Sequence, residues 1–304
     1  MPSFTDPDKR VDLAVAASRV RDGDTVALGG GLSARLPMAL VREMIRQGRS
    51  GLHIVGSAHS IDVDMLVAAG AVAVCEESYV GFEQDFGLAP AYRRAAESAS
   101  ITVKESCCVT ILTQLRAAEM GLPFLPVRGI KGTDIRRLHP EYAETTCPFT
   151  GEVLVAVPPL RPDIALLHAP FGDARGNLHM EQPYVLDERF AGASVAVVAT
   201  VDRIVSTVEL TSRGVTIPGH RVSAVAETPF GAHPASSYPL YAYDHRHMRE
   251  YVSAVRTEEG AIAYLDDWVR SGDEVAYRSR VGEGSLERLS TWSTSTDAWK
   301  ELFT

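Results

Sequence analysis

Glu105 stands where a carboxylate could serve as a general base. It follows Lys104 and the β-branched run Ile101-Thr102-Val103, which reads as a short strand. Ile111, Leu112, Leu115 and Ala118 then recur at helical spacing, and Gly121 closes that helix. A carboxylate at a strand-to-helix junction between apolar flanks is placed to reach a cleft, where burial raises its pKa toward the range a base needs. The same spacing fits a solvated junction residue, so spacing alone leaves both readings open. The next stretch, Gly121 to Asp134, reads as a stiff loop punctuated by proline and glycine, with two cations, Arg128 and Lys131. Such a loop presents side chains to an anionic ligand. Ordinary surface charge is an equal reading of both cations.

A second stretch suits an anion. Thr25–Leu28 reads as a buried strand running into Gly29-Gly30-Gly31-Leu32-Ser33, and Pro37 opens a helix that continues from Met38 to Gln47. Strand, glycine turn and helix let a backbone approach a ligand closely. Three consecutive glycines are not the G-x-G-x-x-G of a dinucleotide site, and there is no P-loop or G-x-S-x-G elbow. Cys107 and Cys108 read as a redox or nucleophilic pair, or as small residues buried at a helix start. His245 and His247 are two apart, unlike ligands on a helix face, and His233 stands alone. These three histidines read as packing or surface residues, and no metal is expected.

Strands and helices alternate through the chain, which predicts an α/β fold with a mostly parallel, helix-flanked sheet. Helices are expected over Lys9–Val20, Asp62–Ala69 and Pro90–Ser98. Strands are expected over Leu52–Val55, Val72–Cys75, Glu152–Val157, Asp163–His168, Val195–Thr200, Ile204–Val208 and Arg221–Val225. His139–Pro148 reads as an irregular connection. After Glu227 the composition shifts to Pro, His, Ser and Tyr, leading into helices near His247–Val255 and Glu259–Ser271. The chain therefore divides at 1–226 and 227–304, the second part a helical extension.

The 304 residues can bury a substantial core. A net charge of −9 without a basic run argues against nucleic acid and against an anionic membrane surface. The first residues have no apolar leader region and no run is long enough to span a bilayer, so the expectation is a soluble, cytoplasmic protein.

Several segments together resemble the alpha subunit of the class I coenzyme A-transferases. They are Asp22-Gly-Asp-Thr-Val-Ala-Leu-Gly-Gly30 with Pro37-Met-Ala-Leu40, Glu77-Ser-Tyr79-Val-Gly81-Phe-Glu83, Gly121-Leu-Pro-Phe124, Asp173-Ala-Arg-Gly-Asn177, Val201-Asp-Arg-Ile-Val205 and Ile217-Pro-Gly219. The tail and the Arg128 loop lean toward the glutaconate-transferase branch, and within it toward the steroid ring-opening CoA hydrolases. The resemblance implies an α2β2 heterotetramer with a beta subunit of the same family and its active site at the alpha–beta junction. It implies an acyl-CoA substrate, with CoA part of that substrate and no further cofactor, and hydrolytic carbon–carbon cleavage of a cyclic β-keto acyl-CoA in cholesterol catabolism. Glu105 is then the catalytic carboxylate. Backbone N–H groups around Gly30 and Gly31, helped by Ser33, would meet the enolate, Arg128 a substrate carboxylate and Lys131 the CoA phosphates. The alternatives are a glutaconate-type CoA-transferase, whose thioester-forming glutamate lies on the beta subunit, a docking subunit without chemistry of its own, and a sugar-phosphate isomerase of related fold.

Overall fold

A computed structural model describes residues 8–303. The segment 1–7, which holds most of the stretch judged to lack a leader, lies outside the described residues, as does Thr304.

The first half alternates as expected. A short helix α1 (Leu13–Ala17) precedes β1 (Thr25–Leu28), α2 (Met38–Arg46), β2 (Leu52–Val55), β3 (Ala58–His59) and α3 (Ile61–Ala68). Then come β4 (Val72–Glu76), β5 (Tyr79–Val80), α4 (Glu83–Phe86), α5 (Pro90–Glu97), β6 (Thr102–Val103) and α6 (Cys108–Glu119). The helix expected from Lys9 is shorter because the preceding residues are extended: Arg10 bridges Val225, and Val11 N donates to Val225 O.

The stretch taken for a stiff loop and an irregular connection carries strands instead. These are β7 (Leu125–Val127) and, after α7 (Ile135–Leu138), β8 (Ala143–Thr146), while β9 (Val153–Val157) is the strand expected over Glu152–Val157. They form a separate antiparallel sheet in the order β7-β9-β8, over its own small core of Val127, Ile130, Tyr142, Val155 and Val157. Pro126 sits in an edge strand, the position in a sheet that tolerates it. β8 is also an edge and mostly exposed, so its Ala-Glu-Thr-Thr run carries no apolar alternation to mark it as a strand.

The second half returns to the main sheet through β10 (Ile164–Gly172), β11 (Leu178–His179), α8 (Asp187–Ala193), β12 (Ala196–Ile204), α9 (Thr207–Arg213) and β13 (Ala224–Glu227). Ile204–Val208 is not a strand of its own. β12 runs through Ile204, and the Ser206 hydroxyl accepts from Glu209 N to start α9, a cap that overrides β-branched propensity.

The main sheet runs β13-β12-β10-β1-β2-β4-β6, every pair parallel, with β11 antiparallel to β10. Both faces are covered. Val26 and Leu28 of β1 and Leu166 of β10 join a core with α1, α2, α3 and the C-terminal helices, while Ala27, Ala165 and Leu167 face α6 and α8 through Ile111, Leu115 and Phe190. That alternation is the two-residue period of a strand, and burial on both sides makes the strands continuously apolar. The chain leaves β1 toward β2 and later resumes at β10 on its other side. In open sheets of this kind, ligands bind beyond the carboxyl ends of the strands at such a reversal.

The C-terminal helices are α10 (His245–Ala254), α11 (Glu258–Leu265), α12 (Glu274–Val281), α13 (Glu283–Ser290) and α14 (Thr296–Glu301). They are fastened to α2 by Arg42, a buried residue. Its guanidinium bonds Glu274 at 2.8 and 2.6 Å and the His233 carbonyl at 2.8 Å, and lies 3.7 Å from the Tyr277 ring centre. His233 bonds Tyr277 and Asp244, and His247 bonds Tyr264, so both are packing residues. His245 stands apart, its ring against Phe86. No described helix is long and apolar enough to cross a membrane.

Candidate active site

The carboxyl ends of β1, β2, β4 and β6 each deliver a loop to one edge of the sheet. At β1, Gly30 adopts φ 76°, and a Cβ there would lie 2.5 Å from the carbonyl oxygens of Ala34 and Arg35. Only glycine allows this turn. The N–H groups of the three glycines are all engaged within the chain: Gly29 donates to Leu166 O at 2.9 Å, Gly30 to Asp187 Oδ1 at 2.8 Å and Gly31 to Ala34 O at 3.0 Å. The expectation that these groups meet an enolate is therefore corrected. They hold the turn in shape, and Asp187, wholly buried, also accepts from Arg35 at 3.1 Å. Burial raises the Asp187 pKa and Arg35 opposes that rise. Ser33 accepts through its carbonyl from Ser236 N and lines a cavity of about 40 Å³ with Ser60, Phe82 and Glu83.

β4 and β6 run side by side with Cys75 opposite Val103, and Lys104 N extends the ladder to Cys75 O at 2.8 Å. Glu105 follows. Its side chain is exposed, so the apolar surround expected around it is not supplied by this chain. Its backbone is pinned: His139 Nε2 donates to the Glu105 carbonyl at 2.7 Å, and His139 Nδ1 bonds Glu141 at 2.9 Å. The His139 ring stacks on Tyr142, centres 4.3 Å apart. Lys104 joins this set to the buried Glu76 at 3.2 Å, and His53 bonds the same oxygen at 3.1 Å. Burial would raise the Glu76 pKa, but His53 and Lys104 hold it below the ordinary value.

Beside these lies a group that spacing did not single out. Glu77 and His59 are buried around Gly56, where a Cβ would collide with Glu77 Oε1 and come within 2.5 Å of the imidazole. His59 Nδ1 is 2.5 Å from Asp62 Oδ2. Among the described residues, the other ring nitrogen and both Glu77 oxygens have no hydrogen-bond partner. Burial pushes Glu77 up to about 8 against the opposing charge of His59. Burial works against the charge on His59, but Asp62 and Glu77 outweigh it and raise His59 to about 9. Both groups are shifted toward keeping their protons. Next to them Cys108, at the start of α6, is 3.3 Å from Ser78 Oγ, and that contact lowers its thiol pKa. Cys107 is half-buried against the small sheet's core. The signal available in the sequence was the Glu76-Glu77 pair directly after an apolar strand, with His59 and Asp62 three apart at a helix start.

Arg128 and Lys131 are carried at the end of β7 on the small sheet, both exposed. Arg128 bonds Glu152 at 2.6 Å. The structure does not bring either cation into contact with the glycine turn.

Residues 10–228 match the family model described as Coenzyme A transferase. The chain belongs to this family. Within the coenzyme A transferases it is of the alpha type of class I. It is 32% identical over 293 residues to the A-type subunit of the glutaconate CoA-transferase of Acidaminococcus fermentans, covering 90% of this chain and 91% of that one. It is 31% identical to the cholesterol ring-cleaving hydrolase IpdA subunit of Rhodococcus jostii, covering 92% and 98%. An uncharacterized protein of Archaeoglobus fulgidus is 35% identical over 93% of this chain, which spans only 64% of that protein. The crystal structure of the Acidaminococcus glutaconate CoA-transferase superposes with a TM-score of 0.88 at 29% identity, covering 92% of this chain and 95% of that one. The α/β fold with its C-terminal helices is the fold of that enzyme.

Proposed function

We propose that this chain is the alpha subunit of a cytoplasmic heteromeric acyl-CoA hydrolase that opens the last steroid ring of a cyclic β-keto enoyl-CoA in cholesterol catabolism. The observation that carries the reading is the placement of Glu105, a solvent-facing carboxylate at the carboxyl edge of the sheet on a backbone pinned by His139. Similarity to a ring-cleaving hydrolase subunit over nearly its whole length supports it. Glu105 takes a proton from water as the oxygen adds, first to the unsaturated ring and then to its ketone. Collapse of the adduct breaks the carbon–carbon bond in a retro-Claisen sense and leaves a thioester enolate. Arg128 holds a carboxylate of the substrate through a guanidinium fork, and Lys131 faces the CoA phosphates. The beta subunit completes the site in an α2β2 assembly and screens Glu105 from bulk water. No further cofactor takes part.

The second reading is a glutaconate-type CoA-transferase, favoured by the superposition on that enzyme. Incubating the reconstituted alpha–beta complex with a cyclic β-keto acyl-CoA and free dicarboxylates separates the two by mass spectrometry. A ring-opened thioester bearing a new carboxylate, with no CoA on the dicarboxylate, supports the hydrolase. CoA on the dicarboxylate with the ring intact supports the transferase.

A further inference from the structure

The carboxyl edge of the sheet carries two glutamates at matching positions just beyond the ends of adjacent strands, β4 and β6. Because Cys75 pairs with Val103, Glu77 and Glu105 each stand two residues beyond the same rung. Their surroundings are opposite. Glu105 is exposed, whereas both Glu77 oxygens are closed to solvent and, among the described residues, without a partner. An unpartnered buried carboxyl is costly unless it is neutral or serves a purpose. Two carboxyls whose environments differ in this way divide into an acid and a base.

We propose that Glu77, backed by His59 and Asp62, is the proton donor to the carbon released when the ring opens, with Glu105, beyond the end of the neighbouring strand, as base. The step deepens the function proposed above and rests on it. Glu105 removes a proton from water as its oxygen bonds to the ketone carbon. The carbon–carbon bond breaks and its electron pair passes to the carbon next to the thioester. The Glu77 proton moves to that carbon, leaving Glu77 as carboxylate, and His59 stabilises the charge until the proton that Glu105 gained is returned to Glu77.

The charged and titratable neighbours of Glu77 act in both directions. Glu76, the last residue of β4, favours the protonated form, as do Asp62 of α3 and Cys108 of α6, while His59 of β3 opposes it. Tyr92 of α5 is a further titratable group in the electrostatic surroundings of Glu77. Asp187 of α8 acts on His59.

The test uses the reconstituted complex with ¹³C-glutamate in the alpha chain, as wild type, Glu77→Gln and His59→Gln. Carboxyl resonances are titrated without substrate, and kcat and KM for ring opening are followed against pH. In the wild type one carboxyl resonance titrates near pH 8 and is missing from Glu77→Gln. The wild-type kcat falls on the alkaline side with the same midpoint. Glu77→Gln lowers kcat about 100-fold, leaves KM within about threefold and loses the alkaline limb. His59→Gln removes the opposing charge and moves the limb to higher pH, which a merely structural role would not do. A Glu77 resonance in the ordinary carboxylate range overturns the proposal, as does Glu77→Gln with unchanged kcat and limb, or an unmoved limb in His59→Gln. A wild-type complex without ring opening instead overturns the functional reading itself.

Discussion

His139 donates from Nε2 to the carbonyl oxygen of Glu105 at 2.7 Å and so fixes the backbone on which the candidate base stands. Its other nitrogen bonds Glu141, and its ring is stacked on Tyr142, so the imidazole is clamped on three sides. His139→Ala is expected to lower kcat for ring opening about 10-fold with little change in KM, because a loosened supporting residue misplaces the group it supports. Steady-state kinetics on the variant complex checks this. A change confined to KM would mean that His139 acts on binding.

Gly56 should tolerate no side chain. A Cβ would strike Glu77 and the His59 ring, both buried and both packed against neighbours. Gly56→Ala is expected to destabilise the chain by about 1–3 kcal/mol through overpacking, measured by chemical denaturation. It should also displace Glu77 and impair ring opening more than the stability loss explains.

A buried ion pair helps fasten the C-terminal helices to α2. Arg42 and Glu274 meet at 2.6 Å with side chains almost wholly buried. Arg42→Met would leave the buried Glu274 with Arg46 alone, at 2.8 Å, and the His233 carbonyl without its Arg42 donor, so it is expected to cost about 3 kcal/mol in urea unfolding.

Acid should loosen the same region. Burial would raise the Glu274 pKa, but Arg42 and Arg46 outweigh it and hold it below the ordinary value. The unfolded chain therefore binds that proton first, and this contribution is present above the ordinary carboxylate range and lost as pH falls through it. Burial likewise depresses His233 and His247, which unfolding frees to charge. Their contribution begins to fade as pH drops through the ordinary histidine range. The difference in unfolding free energy between the wild type and Glu274→Gln isolates the carboxylate contribution, and it should shrink as pH falls through the carboxylate range.

The Arg128 assignment is read in KM. Among the described residues the Arg128 side chain has a single partner, Glu152, and it is exposed. Arg128→Ala is expected to raise KM for a carboxylate-bearing acyl-CoA by about 10-fold or more, leaving KM for an analogue without that carboxylate unchanged. Equal KM changes for both substrates would remove Arg128 from carboxylate binding.

The parallel sheet was legible because its strands are buried on both faces and read as unbroken apolar runs between helical periods. β7 and β8 were not, since Pro126 and the Ala143–Thr146 run lack apolar alternation, and only their pairing with β9 makes them strands. Ser206 shows a local cap defeating a β-branched run. In the site, Glu105 was visible as a charge at a change of period. Glu77 was hidden, because its burial comes from His59 and α6 folding over it, which no spacing reveals. The glycine turn was visible as a turn, but the partners of its N–H groups, Leu166 and Asp187, come from distant parts of the chain.

The most direct test of the central claim compares the wild-type alpha–beta complex with Glu105→Gln on a cyclic β-keto acyl-CoA, scoring ring opening and CoA transfer to free dicarboxylates. Ring opening is predicted to fall by about 100-fold or more in the variant, with no transfer by either complex. Ring opening that survives the substitution would place the base elsewhere, and transfer by both complexes would put the chemistry on the beta subunit.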